Sequence, residues 1–264
     1  MDYPGHTIEV GERDAAIVRG LKRQLNQALG TTGDSALQLG PTNGSFGPKM
    51  RRAVRLFQAR HVDSTGHPLK QDGEVGPLTW AALFGPDTVP RRTDAASPLL
   101  AAALRIAAEQ EAKHVREIPR NSNRGPEVDA FLHCAGCPPG NSWCCAFVYW
   151  CMNEGAKALG RRNPMVKTAG CLDHWQRAAA RGATRFTTAR ALANLALVQP
   201  GLIFVMDHGG GFGHTGFVER VDGGMLTTLE GNTDASRTRE GGGVYRLTRK
   251  IADVNKGFID YSAS

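Results

Sequence analysis

Two successive cysteines, Cys144 and Cys145, follow the turn-forming run Pro138-Pro139-Gly140-Asn141-Ser142-Trp143 and open an amphipathic stretch reaching about Ala158. Pro, Gly, Asn and Ser make a turn and Asn141 or Ser142 can cap, so the spacing predicts a helix that starts at the cysteines. A thiol in the first turn of a helix faces backbone N–H groups without intrahelical partners and the positive end of the helix dipole. Both favour the nucleophilic thiolate. The two thiols lie about 100° apart around such a helix, so one cleft has room for only one of them.

A thiolate nucleophile needs a group to carry its proton. His214, in Gly213-His214-Thr215-Gly216-Phe217-Val218, opens a strand-like run just after the glycine-rich loop 209–213, where an imidazole can project from a sheet edge. His208, ahead of three glycines, is an alternative base and is expected on the rim of that loop. Residues 202–206 and 225–229 also read as strands, and the second runs into Glu230-Gly231-Asn232. Adjacent antiparallel strands would bring this carboxylate and carboxamide beside His214, where one of them orients the ring. A thiol on a helix with imidazole and orienter on neighbouring strands is the layout of papain-like hydrolases.

The stretches Trp143-Cys144-Cys145-Ala146-Phe147-Val148, Pro200-Gly201-Leu202-Ile203-Phe204, Gly213-His214-Thr215-Gly216 and Glu230-Gly231-Asn232 together resemble the CHAP family. These are cysteine, histidine-dependent amidohydrolases/peptidases that cut amide bonds in peptidoglycan. The resemblance spans roughly residues 100–262, with the motifs in family order. It implies Cys144, directly after the aromatic residue, as nucleophile, His214 as general base and acid, and Glu230 as orienter with Asn232 nearby. Cys145 stands where the family has a small residue such as Ala. Leu202 replaces the acidic residue usual after the Pro-Gly turn and reads as structural. Residues 121–127 hold a single carboxylate instead of an acidic calcium loop, so no metal and no cofactor are expected.

The elements that must position these residues form a second half of mixed composition. Leu99–Val115 and Pro126–Cys134 read as helices, followed by the cysteine helix and then the strands. Upstream, Asn43-Gly44-Ser45-Phe46-Gly47-Pro48 returns 29 residues later as Asp72-Gly73-Glu74-Val75-Gly76-Pro77, each copy running into a helix-like segment. The first carries Val54, Leu56 and Phe57, the second Trp80, Leu83 and Phe84. Ile17, Leu21, Leu25 and Leu29 mark an earlier amphipathic helix ended by Gly30. Residues 15–85 thus read as a three-helix domain on a duplicated turn–helix unit. They resemble the peptidoglycan-binding domain of cell-wall hydrolases, with 30–39 as a departure that is longer than expected. Phe46 and Trp80 read either as core or as lining for a sugar-peptide groove.

The expected organisation is therefore α+β: a small all-α peptidoglycan-binding domain over residues 1–88, a Pro- and Gly-rich linker over 89–97, and a papain-like CHAP domain of helices on an antiparallel sheet over 98–264. The implied function is hydrolysis of a peptidoglycan amide bond, as a phage endolysin or as a secreted bacterial toxin of the same chemistry. A non-catalytic wall-binding protein is the alternative.

Composition narrows the remaining classes. With 41% hydrophobic and 22% charged residues over 264 positions, the chain is ordinary globular material. Net charge is +7. Residues 1–90 hold 10 Lys+Arg against 9 Asp+Glu, so nearly all the excess falls on the second half. That favours an anionic partner, yet the charges cluster only as pairs such as Arg51-Arg52, and no nucleic-acid partner is expected. No apolar run approaches a membrane span, and Asp2, His6, Glu9, Glu12 and Arg13 stand where a signal peptide needs an apolar core. The expectation is a monomer made in the host cytoplasm that acts on the wall after release. All six cysteines lie between 134 and 171. Cys134-x-x-Cys137 has no second pair to complete a zinc set, which leaves incidental thiols as the expectation.

Overall fold

The chain's computed structural model describes every residue except 34–37, 41 and 238–240. The long segment expected at 30–39 lies partly outside these described residues. The chain divides into two units, one of Met1–Arg91 with Leu192–Leu195 and one of Arg92–Ala191 with Ala196–Ser264.

In the first unit, α1 (Ala15–Ala28) starts where the Asp14 carboxylate accepts from the backbone N–H groups of Ala16 and Ile17. It buries Val18, Leu21 and Leu25. The repeat has a physical cause. The Asn43 side-chain oxygen accepts from Ser45 N at 2.8 Å, and Asp72 accepts from Glu74 N at 3.0 Å, so each copy makes the same side-chain-stabilised turn. Pro48 and Pro77 then take the first positions of α2 (Pro48–Arg60) and α3 (Pro77–Phe84), where a missing N–H is harmless. Buried Gln58 ties α2 to the second turn, donating to Asp72 and to the Glu74 carbonyl and accepting from Gly73 N. Phe46 and Trp80 are both buried, which removes them from any surface groove and leaves the core reading. Leu56 departs from expectation: it is 42% exposed, because its step of about 100° from Phe57 carries it off the stripe that Val54 and Phe57 bury.

The second unit opens with α4 (Pro98–Ala112), α5 (Pro126–Ala135), α6 (Cys144–Ala158) and α7 (Cys171–Arg177). Six strands follow, β2 (Thr184–Thr187), β3 (Ile203–Gly209), β4 (Phe212–Asp222), β5 (Met225–Thr233), β6 (Gly243–Lys250) and β7 (Gly257–Asp260), in the order β2-β7-β3-β4-β5-β6. Every pairing along that path is antiparallel. Arg91–Arg92, within the expected linker, form a two-residue strand β1. The architecture is α+β.

Helix α6 is the hinge of this layout. It packs between α4 and α5 and lies on β4 and β5, burying Phe147 with Phe217 and Leu229 of those strands. Glycine permits the close approaches. A Cβ on Gly231 of β5 would sit 2.7 Å from the Trp143 ring and 2.8 Å from Phe147 Cβ, and one on Gly155 would sit 3.0 Å from Ala103 N of α4.

Candidate active site

Helix α6 begins at Cys144, yet neither Asn141 nor Ser142 stands at the cap position. That position belongs to Trp143, whose side chain makes no cap hydrogen bond. Asn141 instead donates to the Pro138 carbonyl within the preceding turn. Trp143 is fully buried, its ring packed near Phe131 and Phe147 and its Nε1 donating to Glu117 Oε1 at 2.9 Å. The backbone immediately before Cys144 is therefore anchored by packing and one charged acceptor.

The two thiols have different surroundings. Cys144 lines a cavity of about 110 Å³ together with Ser142, Cys171, Phe212, Gly213 and Asn232. Cys145 has no exposure, lies off that cavity and points its sulfur at the Thr168 carbonyl 3.7 Å away. Cys144 Sγ meets Cys171 Sγ, the first residue of α7, at 3.3 Å.

His214 enters from β4 and Glu230 from β5. His214 Nε2 is 2.7 Å from Glu230 Oε2, and the pair has almost no exposure. Among the described residues Nδ1 has no hydrogen-bond partner, and the ring interacts with Cys144 as well as with Glu230. Gly216 makes the His–Glu reach possible. It sits one step along β4 from the Phe217–Leu229 pair, and a Cβ there would fall 2.8 Å from Glu230 Cγ. Beyond Glu230, buried Arg249 of β6 donates from Nε to Oε1 and from Nη2 to Oε2, both at 2.6 Å, while Thr228 also donates to Oε1. Arg249 also lies over the Phe204 ring at 5.5 Å.

The electrostatics follow from these contacts. Burial pushes the Glu230 carboxyl up, but the hydrogen bonds from Arg249 and His214 overcome it and hold the group at about 2. Burial pulls His214 down, but its contacts with Cys144 and Glu230 prevail and raise it to about 9. The hydrogen bond with Cys171 and burial push the Cys144 thiol well above its ordinary range, while His214 pulls the other way. A carboxylate that stays ionised thus backs an imidazole that readily takes a proton, and that imidazole faces a thiol reluctant to give one up.

Asn232 lies beside this relay but not in it. It is buried, adopts φ +58° at a bulge ending β5, and lines the cavity with neither amide atom hydrogen-bonded among the described residues. Of the two candidate orienters, Glu230 is the one in contact with the ring. His208 is exposed on β3, and Leu202 is buried. Cys134 and Cys137 are half-buried free thiols. Among the described residues, no group of three or more His, Cys, Asp or Glu side chains is placed to hold a metal ion.

Arg249, Glu117 and Cys171 went unmarked in the sequence. Each meets its partner across a long separation: 19 residues for Arg249 and Glu230, 26 for Glu117 and Trp143, 27 for Cys171 and Cys144. Alternation along β6 was the one available signal, since a buried Arg in a paired strand calls for a buried acid.

A model of the CHAP domain matches residues 136–232, and one described as "Putative peptidoglycan binding domain" matches residues 14–83. No curated protein matches the chain. Among solved structures, the crystal structure of Ly7917 is similar at 20% identity with a TM-score of 0.36. That similarity covers 61% of this chain, which spans 61% of the length of Ly7917. The chain therefore carries an N-terminal peptidoglycan-binding domain followed by a CHAP domain, and the latter match takes in Cys144, His214, Glu230 and Asn232.

Proposed function

We propose that this chain is a peptidoglycan hydrolase that cleaves an amide bond of the bacterial cell wall through a thioester on Cys144. The observation that carries the reading is the buried His214–Glu230 pair, whose imidazole interacts with the Cys144 thiol, and the cavity that Cys144 lines within the CHAP domain. In its neutral form His214 takes the Cys144 proton, and the sulfur attacks the scissile carbonyl carbon. The resulting oxyanion is met by first-turn N–H groups of α6, whose cap residue Trp143 makes no cap hydrogen bond, and by the carboxamide of Asn232, which has no hydrogen-bond partner among the described residues. His214 then gives its proton to the leaving amine. Water, deprotonated by the same imidazole, releases the acyl group and restores the thiol. Glu230, kept ionised by Arg249, fixes the ring and stabilises its protonated form during attack.

The acyl side of the bond is either the muramoyl group, making the chain an N-acetylmuramoyl-L-alanine amidase, or an amino acid of the stem peptide or cross-bridge, making it an endopeptidase. The first unit carries the chain to the wall. A phage endolysin is the role this pairing of domains fits best, and a secreted wall-degrading toxin shares the chemistry. Among the described residues, no helix is long and apolar enough to cross a membrane. Mass spectrometry of fragments released from purified peptidoglycan tests the reading: new amino termini or freed muramic carboxyls are expected. Fragments cut only at glycosidic bonds, or no release at all, would overturn it.

A further inference from the structure

We propose that Cys144 and Cys171 form a redox-responsive thiol pair, in which Cys171 captures oxidised Cys144 as a reversible disulfide. The inference rests on the reading of Cys144 as the nucleophile and adds a modification of that site. The two sulfurs are 3.3 Å apart, so closing to a disulfide of about 2.05 Å asks for a shift of little more than an ångström. Cys171 has the freedom to make it, standing at the first position of a short helix directly after Gly170. Gly213 leaves it room, since a Cβ there would lie 3.3 Å from Cys171 Cβ. Both thiols line the same small cavity, with 3% and 7% exposure, where a molecule the size of hydrogen peroxide can reach them.

The chemistry divides naturally between the two sulfurs. His214 draws the proton from Cys144, and the thiolate attacks hydrogen peroxide: the S–O bond forms, the O–O bond breaks, and hydroxide leaves. The Cys171 sulfur then attacks the sulfenic sulfur of Cys144. The S–S bond forms, the S–O bond breaks, and the departing hydroxide takes the Cys171 proton to leave as water. While that bond stands, Cys144 has no free electron pair to offer a carbonyl. A dithiol reverses the step by two exchanges and is itself oxidised. Without Cys171 the sulfenic acid remains in the cavity, and further peroxide carries it to sulfinic acid, which dithiols do not reduce. Cys145 also neighbours Cys171 and is the competing partner.

The test uses the full chain, purified reduced, treated with graded hydrogen peroxide, and then divided between peptide mapping without reductant and lysis of purified walls. The expected product has Cys144 linked to Cys171 and a mass lower by about 2 Da, the two hydrogens lost on oxidation. Lysis should fall in step with the linked fraction and return on dithiothreitol. Cys171→Ala and Cys171→Ser, each measured against its own untreated activity, should lose lysis to the same dose and not regain it, with Cys144 heavier by about 32 Da. A link between Cys145 and Cys171, recovery of both variants on reduction, or wild-type Cys144 found only as sulfinic acid would overturn the pair. A mapped Cys144–Cys171 link in a chain that never releases wall fragments would support the pair and sink the proposed function instead.

Discussion

Arg249 grips both oxygens of Glu230 at 2.6 Å from the neighbouring strand, in a pocket where the carboxylate has no exposure. Removing one member of a buried pair strands the other, at about 3–5 kcal/mol. Arg249→Met should therefore lower stability by that order and raise the Glu230 pKa from about 2. The acid limb of wall hydrolysis then moves to higher pH, which a pH–rate profile reads directly. Arg249→Lys, keeping the charge but losing the fork, should recover part of both effects.

The His214 pKa carries a signed stability prediction. Its folded value, about 9, lies above the ordinary value near 6.5, so the stabilisation is complete below about 6.5 and is lost as pH rises through about 9. Glu230, held at about 2, contributes above its ordinary value near 4.5 and loses that contribution as pH falls towards 2. Thermal melts of wild type and His214→Ala should differ most between about pH 4.5 and 6.5, by on the order of 3 kcal/mol, and converge towards pH 9. A gap independent of pH would contradict the raised imidazole.

The neighbouring cysteines should separate cleanly. Cys144→Ala is expected to abolish wall hydrolysis, by at least about 1,000-fold, while pelleting with purified peptidoglycan as wild type does. Cys145→Ala trims a buried core thiol, costing about 1 kcal/mol in stability and leaving most activity. The opposite ranking of the two variants in a turbidity assay would move the nucleophile by one residue.

Gly216 offers a test of positioning without touching a titrating group. A methyl there would meet Glu230 Cγ at 2.8 Å and the Leu229 carbonyl oxygen at 2.7 Å. Gly216→Ala should lower stability by about 1–3 kcal/mol. It should also depress turnover more than wall binding, because the carboxylate is pushed off the imidazole. Unchanged turnover in a folded variant would mean that Glu230 does not orient the ring.

Local patterns carried much of this fold. The doubled turn with proline after it marks α2 and α3 because each step is a contact within a few residues. The start of α6 and the strand positions of His214 and Glu230 are legible for the same reason. Capping at Asn141 or Ser142 failed as an expectation because Trp143 takes the position and buried packing, with its bond to Glu117, anchors the turn instead. Strand pattern alone left Glu230 and Asn232 equal as orienters and only the family resemblance favoured Glu230; the bulge after Glu230, which places Asn232 on the cavity, is not visible in that pattern. Arg249 and Cys171 depend on which strand and which helix come to lie alongside, and that is decided by the whole sheet.

His214, Glu230 and Arg249 come one each from β4, β5 and β6, three strands lying side by side. Side chains alternate faces along a strand, so a slip of β5 by a single residue would send Glu230 to the opposite face. The relay is thus also an alignment mark. A chain paired out of step would keep its strands, and much of its spectroscopic signature, yet be mute as an enzyme. Activity per milligram in any preparation then counts the sheets that have closed in the correct register, a quantity that secondary-structure content does not report.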